Sequence, residues 1–176
     1  MNSNNLTSRF WLLSIMILGA AFTRLIPHPP NFTAVGAMAL FGGAYFSDKK
    51  FAFIVPIFAM LVSDLIIGFH NGMMSVYLSF VIIVGIGILL SRNIKFKNVV
   101  AASLISSVLF FVLTNFQMWI LSPLYAKNIS GLAACYAAAI PFFHYTVLGD
   151  LFFVGILFGL FAAIQIKFLS PIKIKV

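Results

Sequence analysis

Two of the three acidic residues in this chain stand inside apolar runs, Asp64 in MLVSDLIIGF and Asp150 in TVLGDLFFVG. A carboxylate among aliphatic side chains is costly. It persists where it neutralises a cation, caps a broken helix, holds a ligand or takes up a proton. Paired aspartates inside a membrane also suggest proteolysis by two carboxylates that share a proton. The sequence argues against that reading, because Val147 occupies the place of the first glycine of a Gly-x-Gly-Asp signature and Asp64 follows Ser63 where a tyrosine belongs. There is no Gly-x-x-x-x-Gly-Lys-Ser/Thr phosphate loop, and a chain without glutamate has no His-Glu-x-x-His metal motif. His28, His70 and His144 could offer metal ligands beside the two aspartates, but they lie on three separate segments. The expectation is a protein that is not an enzyme, with no metal and no cofactor.

The elements that carry these residues follow from composition. A chain of 176 residues that is 62% hydrophobic and 8% charged falls well outside the soluble range, in which roughly a quarter of residues are charged. It reads as one all-α integral membrane domain, 1–176, with room for about six spans of roughly 20 residues. Apolar runs at about 10–26, 32–46, 51–69, 73–91, 99–121 and 146–167 give a compact six-helix transmembrane bundle. The first run continues past LGAA to Ile26 behind a single basic residue, which favours a span over a signal peptide. The second, TAVGAMALFGGAYF, is rich in small residues and should be buried among its neighbours. Gly155, Gly159 and Ala163 recur every four residues and suggest helix packing. Before the last span, GLAACYAAAI ends at Pro141 and is too short to cross, so it is expected as an interfacial or re-entrant segment able to lid a pocket. One cysteine, Cys135, excludes an internal disulfide.

Charge sets the expected orientation. Alternating across six spans, one side receives Arg9, Lys49, Lys50, Arg92, Lys95, Lys97, Lys167, Lys173 and Lys175, and the other only Arg24 and Lys127. The positive-inside rule then puts both termini in the cytoplasm and explains the net charge of +8 without nucleic acid. On the outer side gather Arg24, His28, Asn31, Asp64, His70, Asn71, the TNFQMW segment with Asn115, Gln117 and Trp119, then Tyr125, Tyr136, His144, Tyr145 and Asp150. Donors, acceptors and rings collected beside an apolar bundle suit a pocket for a small polar or heteroaromatic molecule. The candidate substrate-binding residues are Arg24, Asn31, Asp64, Asn115, Gln117, Trp119, Tyr136, His144 and Asp150.

The order IPHPPNFTAVGAMALFGGAYF followed by VPIFAMLVSDLIIG resembles the first half of the substrate-binding S components of energy-coupling factor (ECF) vitamin transporters. With TNFQMW, GLAACYAAAIPFF and GDLFFVGILFG, the chain is also similar to a family of uncharacterised bacterial membrane proteins classed as transport proteins. The resemblance implies a subunit of the bacterial cytoplasmic membrane that binds a vitamin-like micronutrient and works with a transmembrane coupling subunit and ATPase subunits. Two other classes fit the residues: a self-sufficient proton- or ion-coupled carrier using Asp64 and Asp150, and a membrane assembly subunit without a ligand.

Overall fold

Residues 3–69 and 71–168 are described by a computed structural model, with side chains described for 6–69 and 71–165. The helices are α1 (Ser3–Phe22), α2 (Val35–Tyr45), α3 (Lys49–Ile67), α4 (Met73–Leu90), α5 (Phe96–Leu121) and α6 (Ile129–Phe168), and a 3-10 turn, Thr23–Leu25, follows α1. All except α2 are long and apolar enough to cross a membrane, the pattern of a multi-pass membrane protein. The chain reversals sort the charges by end. Arg9, Lys49, Lys50, Arg92, Lys95 and Lys97 sit at one end of the bundle, termed the basic end, and Arg24 and Lys127 sit at the other, the distal end.

Helix α2 differs from the second span expected over 32–46. Its 11 residues rise about 17 Å, roughly half of a 30 Å hydrocarbon core, and every one of them is buried. Lipid tails are as apolar as leucine, so packing rather than water exclusion must hold such a helix in place. Glycines supply the closest approach. A Cβ on Gly43 would collide with the Val84 carbonyl of α4, and one on Gly87 with the Leu40 carbonyl of α2. At its carboxy-terminal end α2 inserts Phe41 and Tyr45 among Phe158 and Phe161 of α6. The Tyr45–Phe161 centroids are 4.4 Å apart, and such ring pairs contribute about 0.5–1.5 kcal/mol each. Arg9 of α1 donates to the Tyr45 carbonyl at 3.1 Å, a cation at the negative end of the helix dipole.

The glycine repeat in α6 does not pack as its spacing suggested. A Cβ on Gly155 or Gly159 would meet nothing within 4 Å, and Ala163 is exposed. The close-packing glycines are instead those of α2 and α4. A second difference lies before the last span. GLAACYAAAI is not a separate interfacial or re-entrant piece but the first part of a single 40-residue helix that continues through Pro141. At 1.5 Å per residue α6 is about 60 Å long, enough to cross a bilayer and extend beyond it. It runs antiparallel to α5. Tyr136 donates to the Val112 carbonyl at 2.7 Å, Phe143 packs on Phe111 with centroids 4.7 Å apart, and Asp150 reaches Ser107.

Candidate functional site

Asp64 lies one turn from the end of α3, where its backbone carbonyl accepts from Gly68, a residue with φ of 101° that stops the helix. Its Oδ1 is 2.7 Å from the Arg24 guanidinium, and its Oδ2 accepts from the Tyr77 hydroxyl of α4 at 2.7 Å. Arg24 also donates to Ser63 Oγ and lies 3.4 Å from Met60 Sδ. The two charged side chains are 11% and 2% exposed, so the pair is withdrawn from solvent and closed by hydrogen bonds. The network ties the turn after α1 to α3 and α4 at the distal end.

Asp150 has a different role and a deeper position. Ser107 Oγ donates to its Oδ2 at 2.6 Å, and the carboxylate meets the first turn of α2, where the Ala37 backbone N–H is its partner. The residue preceding α2, Ala34, cannot cap it. Asp150 supplies the missing acceptor from another helix, and a carboxylate at a helix amino terminus is favoured by the exposed N–H groups and the dipole. Gly36 makes this possible, since a Cβ there would collide with the carboxylate. Only 4% of Asp150 is exposed.

Gln117 performs the same service for α4. Its Oε1 accepts from the Ser75 N–H at 2.5 Å and its Nε2 donates to the Asn71 carbonyl at 2.7 Å, at a helix start whose own Gly72 offers no side-chain cap. Trp119 donates to the Ala126 carbonyl at 2.8 Å. Lys127 closes the same turn by donating to the Ser122 carbonyl at 2.6 Å and to the Trp119 carbonyl. Asn115 donates to Phe111 of its own helix at 2.8 Å, next to the Tyr136–Val112 bond. His144 is exposed and packs on Tyr145, with ring centroids 3.9 Å apart. Asn31 is exposed in the first loop with φ of 64°.

The candidates therefore fall into three groups: Arg24 with Asp64 on the α1–α3–α4 side, Asp150 at the level where α2 begins, and Asn115, Gln117, Trp119, Tyr136 and His144 along the distal α5–α6 pair. Among the described residues no hydrogen bond joins the first group to the third. Tyr77, Ser107 and Gly36 complete the two carboxylate networks and were not singled out from sequence. The sequence signal for Ser107 is the polar stripe of Ser103 and Ser107, one turn apart, on α5. His70 lies outside the described residues, and no grouping of three His, Cys, Asp or Glu side chains able to hold a metal occurs among the described ones.

Burial along α5 changes at the level of Asp150. Val99, Ala102, Ser103, Ser106 and Ser107 are buried, and from Val108 to Leu121 no residue is. On α6 the stretch 136–145 is likewise unburied, between buried Cys135 and Thr146. This is the level at which α2 begins, so the distal half of the bundle is without it. The non-helical chain from Ile26 to Ala34 descends to the same level, with Phe32 against Phe152 and Phe153. Non-helical backbone at that depth is tolerated only inside protein or beside water. The distal half thus lacks α2, and Asp150 and the start of α2 mark its boundary with the packed half.

Residues 4–172 match a family of unknown function, DUF6580. The chain belongs to that family. No curated protein and no solved structure matches it. Membership of DUF6580 assigns no activity, and none of these matches connects the chain to the S components of ECF transporters.

Proposed function

We propose that this DUF6580 protein is a membrane-embedded substrate-binding subunit for uptake of a small, vitamin-like micronutrient, resembling the S component of an ECF transporter. The observation that carries the proposal is the change of burial at Asp150. Below it α2 fills the bundle. Above it α5 and α6 present Asn115, Tyr136 and His144 without burying them. A half-length helix whose amino terminus stops inside the membrane is a recurrent way to build a solute site. In this reading the distal end faces outside, both termini are cytoplasmic, and the protein resides in the bacterial cytoplasmic membrane. Asn31, Asn115, Tyr136 and His144 contact the solute. Gln117 and Trp119 hold the rim, and Arg24, Asp64 and Asp150 hold the walls and floor.

The carrier alternative requires Asp64 and Asp150 to exchange ions. Each instead has hydrogen-bonding partners that fix it to a neighbouring helix, which favours a binding subunit. The chain has no nucleotide motif, so energy for uptake comes from a coupling subunit and ATPase subunits. Protein reconstituted alone should bind solute without ATP or a proton gradient and should not accumulate it. Gradient-driven accumulation by the purified chain in liposomes would replace this proposal with the carrier.

A further inference from the structure

The turn between α4 and α5 carries Arg92, Lys95 and Lys97. The chain's three carboxylates are committed elsewhere: Asp48 accepts from the Lys50 N–H at the start of α3, Asp64 pairs with Arg24, and Asp150 serves Ser107 and α2. Beside this turn a crevice of about 680 Å³ opens between the start of α5 and the second half of α6. Lys95 and Phe96 border it at the basic end, Val99 and Phe158 form walls, and Gly155 and Gly159 leave it unfilled. From Leu151 to Ala162 it follows α6 for about 17 Å, close to the roughly 15 Å depth of one leaflet's hydrocarbon.

We propose that this crevice binds an anionic phospholipid, with one acyl chain lying between α5 and α6 and the phosphate against Lys95, flanked by Arg92 and Lys97. The shape accounts for the chain, and the three cations, which form no ion pair among the described residues, account for the headgroup. Basic pockets between helices at the positively charged membrane face recognise anionic headgroups in this way. A second hollow, about 510 Å³ between α4 and α5 and lined by Ile82, Leu104, Ile105 and Val108, has the apolar wall without any cation and so lacks the means to select a headgroup. A second copy of the chain is a poorer occupant. A two-fold contact through Gly155 and Gly159 would set two sets of these same three cations on one interface. The site lies at the end of the molecule opposite the proposed solute cleft and does not depend on it.

The test is native mass spectrometry of the full-length protein released from mixed vesicles of phosphatidylglycerol and phosphatidylcholine, with nanodisc titration of each lipid. One phosphatidylglycerol should be retained in preference to phosphatidylcholine. The double variant Arg92→Gln/Lys95→Gln, at exposed positions, should weaken that preference about 10- to 30-fold. Gly159→Leu fills the crevice where the structure offers free space and should abolish retention, whereas Gly19→Leu, at an open glycine on α1, should leave it intact. Equal retention of both lipids overturns the proposal. So does undiminished phosphatidylglycerol in both crevice variants, or a dimer that Gly159→Leu dissociates with no loss of lipid.

Discussion

Replacing Asp150 separates a structural cap from a proton-exchanging group. In Asp150→Ala the first turn of α2 loses the side-chain acceptor that Asp150 provides, and the buried Ser107 hydroxyl loses its bond to the carboxylate and keeps the Ser103 carbonyl, 3.1 Å away, as its acceptor. Loss of a helix cap costs about 0.5–2 kcal/mol and loss of a hydrogen bond to a charged group about 1.5–3 kcal/mol, so the sum is roughly 2–4 kcal/mol. For a chain of this size each kcal/mol moves the melting temperature by about 2–4 °C, which places the expected drop near 5–15 °C. Asp150→Asn keeps one acceptor oxygen for the α2 backbone and an amide N–H that can donate to the Ser107 hydroxyl, and should lose less than about half as much. Gly36→Ala attacks the same contact from the α2 side, because the methyl group must displace the carboxylate, and should cost about 1–3 kcal/mol. The assay is thermal unfolding of purified protein in mild detergent, followed by far-UV circular dichroism. An Asp150→Ala protein that melts with the wild type would refute the capping argument, as would Asp150→Asn and Asp150→Ala falling equally.

Two further predictions concern the distal network and the orientation. Asp64→Asn strands the Arg24 cation in a nearly closed site and should destabilise by roughly 3–5 kcal/mol, with part of the loss restored by adding Arg24→Gln; a double variant no better than the single one in thermal unfolding would contradict the pairing. In a Cys135→Ser background, Asn31→Cys should react with an impermeant thiol reagent applied to intact cells and Asn93→Cys should not. The reverse pattern would invert the orientation.

The class of the protein and the position of most helices were legible because apolar runs report where lipid must be faced. The pairing of Asp64 with Arg24 was among the alternatives its apolar setting allowed. Helix ends were less legible. Backbone hydrogen bonding carries α6 through the alanine-rich segment and Pro141, where hydropathy alone reads a break. Conversely α1 gives way at Thr23, whose hydroxyl donates to the Ala20 carbonyl at 2.6 Å while Arg24 turns toward Asp64. The shortness of α2 was hidden because Phe32–Ala34 are as apolar as the helix they precede. The caps of α2 and α4 were hidden for a different reason. Asp150 and Gln117 act on residues far away in sequence, and no local pattern encodes a cap donated by another helix.

The central claim is that the distal half of the bundle, which lacks α2, holds a small solute. Untargeted mass spectrometry of molecules released from protein purified in mild detergent tests it, comparing the wild type with Asn31→Gly/His144→Ala, two exposed positions, the first taking glycine because its φ is 64°. One small polar or heteroaromatic compound should accompany the wild type in near-stoichiometric amount and be depleted about tenfold or more in the double variant. An equally stable pair of proteins carrying no such compound, or the same compound in equal amount, would contradict the account.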